Sequence, residues 1–142
     1  MISFQTINVE MPAIDEAKIV AWVKAVAATY GRSAGDINYV FVDDEEILRV
    51  NRQFLGHDYY TDIITFDNGT SAPGTSHTLC GDLFISLDTV RTNAEGLGVA
   101  YAQELHRVII HGVLHLCGLN DKGPGEREQM EAAENRALAI LP

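Results

Sequence analysis

The sequence predicts an α+β fold: a single domain over residues 1–142, in which a small mixed β-sheet packs with about five helices. Three observations lead there. The chain has 142 residues and is 46% hydrophobic, which suits one domain with one proper core. Short runs rich in β-formers alternate with longer runs of helical periodicity, without an internal repeat or a linker. The most apolar helical run, residues 101–117, is hydrophobic on most sides and therefore belongs in the core.

The elements follow in order. SFQTINV, residues 2–8, suits a first strand. From Asp15 to Tyr30 the apolar positions Ile19, Val23, Val26 and Tyr30 step by 4, 3 and 4, a helical period, with Asp15 placed to start the helix and Gly31 to stop it. Residues 38–42, NYVFV, read as a strand. Asp43 or Asp44 caps a second helix that reaches Phe54. Residues 62–66, DIITF, form another short strand, and the Gly, Ser, Thr and Pro between Asn68 and Thr78 form a loop or hairpin connection. Residues 79–85 return as a strand, and Ser86 or Asp88 caps a third helix that fades between Gly96 and Gly98. The long core helix covers 101–117. Pro124 opens a last helix in which Met130, Ala133, Ala137 and Ile140 step by 3, 4 and 3.

Charge and composition narrow the function. A formal net charge of −10 argues against a protein that grips nucleic acid by a broad basic surface, and so against a DNA-binding role. No apolar run approaches the length of a membrane span. The start, MISFQTINVEMPAIDE, has neither the basic residues nor the apolar block of a signal peptide. Two cysteines, Cys80 and Cys117, are too few for a disulfide framework. The expectation is a cytoplasmic protein without a membrane partner.

The chemistry concentrates in residues 111–121, HGVLHLCGLND. His111 and His115 are one helical turn apart, so they project from one face and can grip one metal ion. Gly112 between them permits close approach to the helix, and Gly118 permits the turn that brings Asp121 back as a third ligand. Three protein ligands leave a position open, as in a catalytic zinc site. The expected cofactor is one divalent ion per chain, zinc. Cys117 points to another face of the helix, and His57, His77 and His106 read as surface or locally hydrogen-bonded residues. This is a zincin-like metal-binding helix, but Gly112 stands where the HExxH proteases carry their general-base Glu, which weakens a protease reading.

HGxLHLxG over 111–118 resembles the signature of the YbeY family of bacterial rRNA-maturation endoribonucleases. Residues 51–66, NRQFLGHDYYTDIITF, with Asn51, Asp58 and Thr61, resemble the family segment before its central strand. GDLFIS over 81–86, Glu104, and the acidic run from Glu126 to Met130 also fit. Two positions depart from the family pattern. Asp121 stands where the family usually has a third metal-binding His, and Leu55 stands where it commonly has an Arg thought to matter for activity. Arg52, a turn earlier, is the candidate to replace that Arg. A carboxylate remains an acceptable zinc ligand, though a harder one.

The resemblance implies a single-strand-specific endoribonuclease acting on rRNA at the small-subunit 3′ end, with a part in ribosome quality control. It implies as partners the small ribosomal subunit, its proteins and an Era-type GTPase. The ion would activate water or, if the ribose 2′-hydroxyl is the nucleophile, stabilise charge on the phosphate. Asp58 or Asp82 would orient the water. Tyr59, Tyr60 and Phe66 are candidates to stack on bases, and equally candidates for core or strand positions. Two other readings stay open: a ribosome-assembly factor with a mainly structural metal, and a metallohydrolase of a non-RNA substrate.

Overall fold

The computed structural model describes residues 1–69 and 77–142. Most of the expected connection from Asn68 to Thr78 lies outside the described residues. The strands are β1 (Ile2–Thr6), β2 (Ser33–Val42), β3 (Ile63–Asp67) and β4 (Thr78–Ser86), and the α-helices are α1 (Glu16–Thr29), α2 (Asp44–Val50), α3 (Leu87–Leu97), α4 (Tyr101–Leu116) and α5 (Glu126–Ala139). The sheet has the order β1-β2-β4-β3. β2 runs parallel to β1 and β4, and β3 runs antiparallel to β4, so the sheet is mixed as expected.

Local chemistry explains most element boundaries. The Asp15 carboxylate accepts the Lys18 N–H at 3.1 Å and starts α1. Asp43 does the same for α2 through Glu46 N–H, and Ser86 for α3 through Thr89 N–H. α3 ends at Gly98, whose φ of 68° suits a glycine C-cap. Three expectations shift. β2 starts at Ser33 rather than residue 38, with an irregular register between Ala34 and Ile37. The second helix is α-helical only to Val50, after which Asn51–Leu55 form a π-helical turn that stops at Gly56, φ 66°. Pro124 does not open the last helix; Gly125, at φ 74°, intervenes and α5 begins at Glu126, whose carboxylate reaches back to the Gly123 N–H at 2.7 Å.

Strand alternation divides the side chains between two faces. Ile37, Tyr39, Phe41, Leu83 and Ile85 point to the main core, which α1, α4 and α5 cover. Val40, Val42 and Ile64 point the other way and pack with Ile47 and Val50 of α2. Phe4, Tyr39 and Phe41 stack across β1 and β2, with Phe4 and Tyr39 centroids 5.4 Å apart. The Tyr39 hydroxyl donates to the Ile109 carbonyl of α4 at 3.1 Å, and burial pushes its pKa upward. Trp22 of α1 is fully buried and its indole N–H donates to the Ala137 carbonyl at 2.8 Å, which ties α1 to α5.

α4 is the central helix, and glycines let it lie close on the sheet. A Cβ at Gly112 would come within 2.9 Å of Ile63 Cδ1 and Leu83 Cδ2, so it is the sheet that makes close approach there. A Cβ at Gly81 would lie 2.7 Å from the Phe66 carbonyl oxygen and 3.0 Å from Leu116. This docking fixes the depth and rotation of α4, and with them the direction in which His111 and His115 face. Among the described residues, no helix is long and apolar enough to cross a membrane.

Candidate metal centre

His111 and His115 occupy successive turns of α4, with ring centroids 4.6 Å apart and ring planes nearly perpendicular. Beyond Leu116 the chain turns through Gly118, φ 98°, and the Leu119 N–H bonds back to the Leu114 carbonyl. This turn returns Asp121 to the histidines. Its Oδ2 lies 3.4 Å from His111 Nε2 and 3.5 Å from His115 Nε2. Ligand bonds of about 2.0–2.1 Å to a tetrahedral ion put neighbouring ligand atoms about 3.3 Å apart. Both edges to Asp121 therefore match the spacing that a zinc-like ion requires. All three donor atoms lie within 4.8 Å of one another, and the set is the one such cluster among the described residues.

The other nitrogen of each ring holds it in place. His115 Nδ1–H donates to the Leu119 carbonyl at 2.9 Å, a product of the same turn. His111 Nδ1–H donates to Glu134 Oε2 of α5 at 2.6 Å. Each bond leaves an Nε2 lone pair directed at Asp121, the tautomer that a metal ligand needs. Glu134 is only 8% exposed and is itself held by Arg107, whose Nη1 donates to Oε1 at 2.9 Å while Nη2 donates to Asn135 at 2.9 Å. Burial opposes ionisation of Glu134, but the bonds and charges of His111 and Arg107 outweigh it and hold its pKa below the carboxylate range. Burial likewise opposes protonation of His111, yet Glu134, Asp62 and Asp121 hold its pKa above the ordinary imidazole value.

Two cavities meet at this cluster, one of about 590 Å³ and one of about 370 Å³. Asp62, His111, Asp121 and Lys122 line both. Asp62 sits just before β3, and its carbonyl accepts the Ser86 N–H at 2.9 Å. Burial raises its carboxyl pKa, against the opposing charge of His111. Burial and the charge of Asp62 also raise the pKa of Glu104, which lines the larger cavity.

The structure brings together the three expected ligands His111, His115 and Asp121, but it does not bring Asp58, Asp82 or Arg52 to them. Asp82 lies on the sheet face opposite α4, because Gly81, Leu83 and Ile85 take the inward positions of β4. There it accepts the amide N–H groups of Asn38 at 2.9 Å and Asn68 at 2.8 Å. Asp58 and Arg52 are exposed, pair with each other, and line neither cavity. Leu55, the position Arg52 was expected to cover, itself lines the smaller cavity. Cys117 lies in the main core, where burial pushes its thiol up to about 11. His106 packs edge-on against Trp22.

Asp62 and Glu134 are the site residues that sequence reasoning passed over. Asp62 carried one signal: it stands immediately before an apolar strand, where a strand end meets a cleft. Glu134 carried only its place in the acidic last helix.

A sequence profile for the family described as Endoribonuclease YbeY matches residues 2–141. A Parabacteroides distasonis protein named Endoribonuclease YbeY is 61% identical over 141 residues, covering 99% of this chain and 96% of that one. A protein of the same name from Bacteroides thetaiotaomicron is 62% identical over 139 residues, covering 98% of each. One from Porphyromonas gingivalis is 51% identical over 140 residues, covering 99% of this chain and 89% of that one. Among solved structures, TM1509 from Thermotoga maritima, solved in solution, matches with a TM-score of 0.62 at 23% identity, over 98% of this chain and 90% of the other. At that identity the structural match speaks to the fold.

Proposed function

The chain belongs to the YbeY family, and from that premise we propose that it is a metal-dependent endoribonuclease. The observation that carries the reading is the convergence of His111 Nε2, His115 Nε2 and Asp121 Oδ2 where two cavities join. A structural metal site is closed by four protein ligands, whereas this one offers three and opens on space for a substrate. That supports catalysis over a purely structural ion.

In this reading His111, His115 and Asp121 hold one divalent ion, zinc by the chemistry of two imidazoles and a carboxylate. The ion, when bound, supplies a Lewis acid for a phosphoryl oxygen and lowers the pKa of a coordinated water. The protein residues do the rest. Glu134 and the Leu119 carbonyl keep both rings in register, so no reorganisation is needed as charge develops. Asp62, shared by both cavities, takes the role of orienting the nucleophile that the sequence assigned to Asp58 or Asp82, and it also accepts the proton of the attacking hydroxyl, whether water or ribose 2′-hydroxyl. In the metal-free protein burial raises its carboxyl pKa. Lys122, beside Asp121, is placed to attract the phosphate.

The substrate is single-stranded RNA, and family membership supports rRNA of the small subunit as its source. The resemblance read from the sequence adds, as further parts of this proposal, a cytoplasmic place, the small subunit and its proteins, and an Era-type GTPase as partner. The test is cleavage of a single-stranded RNA from an rRNA 3′ end by wild type and His115→Ala prepared side by side. Cleavage by wild type alone, abolished by chelator and restored by metal, is expected. Equal cleavage by both, or by neither, overturns the reading.

A further inference from the structure

The loop after the π-helical turn carries an unusual amount of order for an exposed segment. His57 and Tyr59 stack with centroids 5.1 Å apart and planes 18° from parallel, and the Tyr59 hydroxyl meets His57 Nδ1 at 2.9 Å. Both residues line the smaller cavity, the one that also holds His111, His115 and Asp121. Tyr59 is nevertheless 50% exposed. The pair is held from beneath by Asn51, which is 1% exposed. The Asn51 carbonyl accepts the His57 N–H at 3.1 Å, and its side-chain amide donates to the Tyr59 carbonyl at 2.9 Å. Gly56, at φ 66°, makes the reversal that permits this clamp.

Asn51 fixes the backbone at both ends of an exposed ring pair, through its carbonyl at His57 and its side-chain amide at Tyr59, and this does nothing for the core, since neither ring belongs to it. It does fix the orientation of a flat, apolar, partly polar-edged surface beside the metal ligands. We propose that His57 and Tyr59 form a stacking platform for a nucleobase of single-stranded RNA adjacent to the scissile phosphate. The proposal rests on the endoribonuclease reading for its substrate class. Two considerations favour a base over the RNA backbone as occupant. The chain carries a formal net charge of −10, so phosphate attraction is a weak source of affinity. A ring platform can be occupied only by a base whose own face is free, which single strands offer and duplexes do not. Leu55, half-exposed, lines the same cavity and adds apolar contact there.

The test is binding by fluorescence anisotropy, with metal-loaded protein and a short labelled single-stranded 2′-deoxyadenylate that lacks the 2′-hydroxyl. The same oligomer with abasic sites is the control. Wild type is expected to bind the adenylate about tenfold more tightly than the abasic strand, in keeping with one base stacked on an aromatic side chain. Tyr59→Ala should lose about that factor on the adenylate and nothing on the abasic strand, and Tyr59→Trp should restore it. Unchanged metal content and circular dichroism confirm that each variant is folded. Wild-type binding by Tyr59→Ala, an equal loss on both strands, or no preference of wild type for the adenylate overturns the platform. A protein that cleaves RNA yet ignores Tyr59 loses only this inference. A protein that shows the stacking preference but cuts nothing loses only the catalytic reading.

Discussion

The Nδ1 of His111 lies 2.6 Å from Oε2 of Glu134, so the last helix aims a candidate metal ligand that the fourth helix supplies. The two residues are 23 positions apart, and Glu134 has its own tether in Arg107. Removing the carboxylate should let the His111 ring rotate. Glu134→Ala is expected to weaken metal binding by about 10- to 100-fold, as when other metal-bound imidazoles lose their hydrogen-bond partner. Glu134→Gln, whose amide oxygen still accepts Nδ1–H, should lose less. Competition with a zinc chelator measures both.

Asp121 can be tested by removal and by replacement. Asp121→Ala should lower the metal retained per chain after dialysis, and Asp121→His should retain or raise it, because imidazole is a good ligand at that distance. Equal retention by wild type and Asp121→Ala would take Asp121 out of the ligand set.

The pKa shifts at the pair predict opposite pH trends for the metal-free and metal-bound protein. The folded pKa of His111 is raised, so its contribution is fully present below the unfolded value of about 6.5 and is lost as pH rises through the folded value. The folded pKa of Glu134 is lowered, so its contribution is present above the unfolded carboxylate value and is lost as pH falls through the folded one. Metal-free protein should therefore melt at lower temperature as pH climbs above about 6.5. Metal binding needs neutral His111, so affinity should rise over that same interval. Thermal melts with and without zinc across this range read both trends, and parallel curves would refute the coupling.

Gly112 separates this site from the HExxH peptidases for a steric reason as well as a chemical one. Gly112→Ala places a methyl 2.9 Å from Ile63 and Leu83, and overpacking of about 1–3 kcal/mol outweighs or cancels the helix-propensity gain of about 1 kcal/mol. Gly112→Glu would press a carboxylate into the same contact and should fail to fold rather than acquire peptidase activity. Denaturant melts of Gly112→Ala, and the soluble yield of Gly112→Glu, check this.

Burial of the Cys117 thiol predicts inertness. With its pKa pushed up to about 11 and its side chain in the main core, it should react with a thiol reagent only after denaturation, whereas half-buried Cys80 should react in the native protein. Native labelling of both cysteines at equal rates would contradict the packing.

What the sequence alone determined is whatever depends on near neighbours. Asp15, Asp43 and Ser86 start helices by bonding to an N–H three residues on, and Gly118 turns the chain by tolerating a positive φ. His111, His115 and Asp121 were legible for the same reason: one helical turn and one glycine reversal bring them together, and both are local geometry. The alternation of Leu79, Gly81, Leu83 and Ile85 is itself enough to turn Asp82 away from α4. Tertiary structure alone decided the rest. Arg52 went to Asp58, which no helical period foretells. Glu134 reached His111 only because Trp22, Met130 and Ala137 seat α5 against the core. Asp62 became the shared wall of two cavities because β3 joins the sheet edge beneath α4. Contacts closed by a turn are written in spacing, whereas contacts between distant segments are set by how apolar faces pack, and packing belongs to the whole chain.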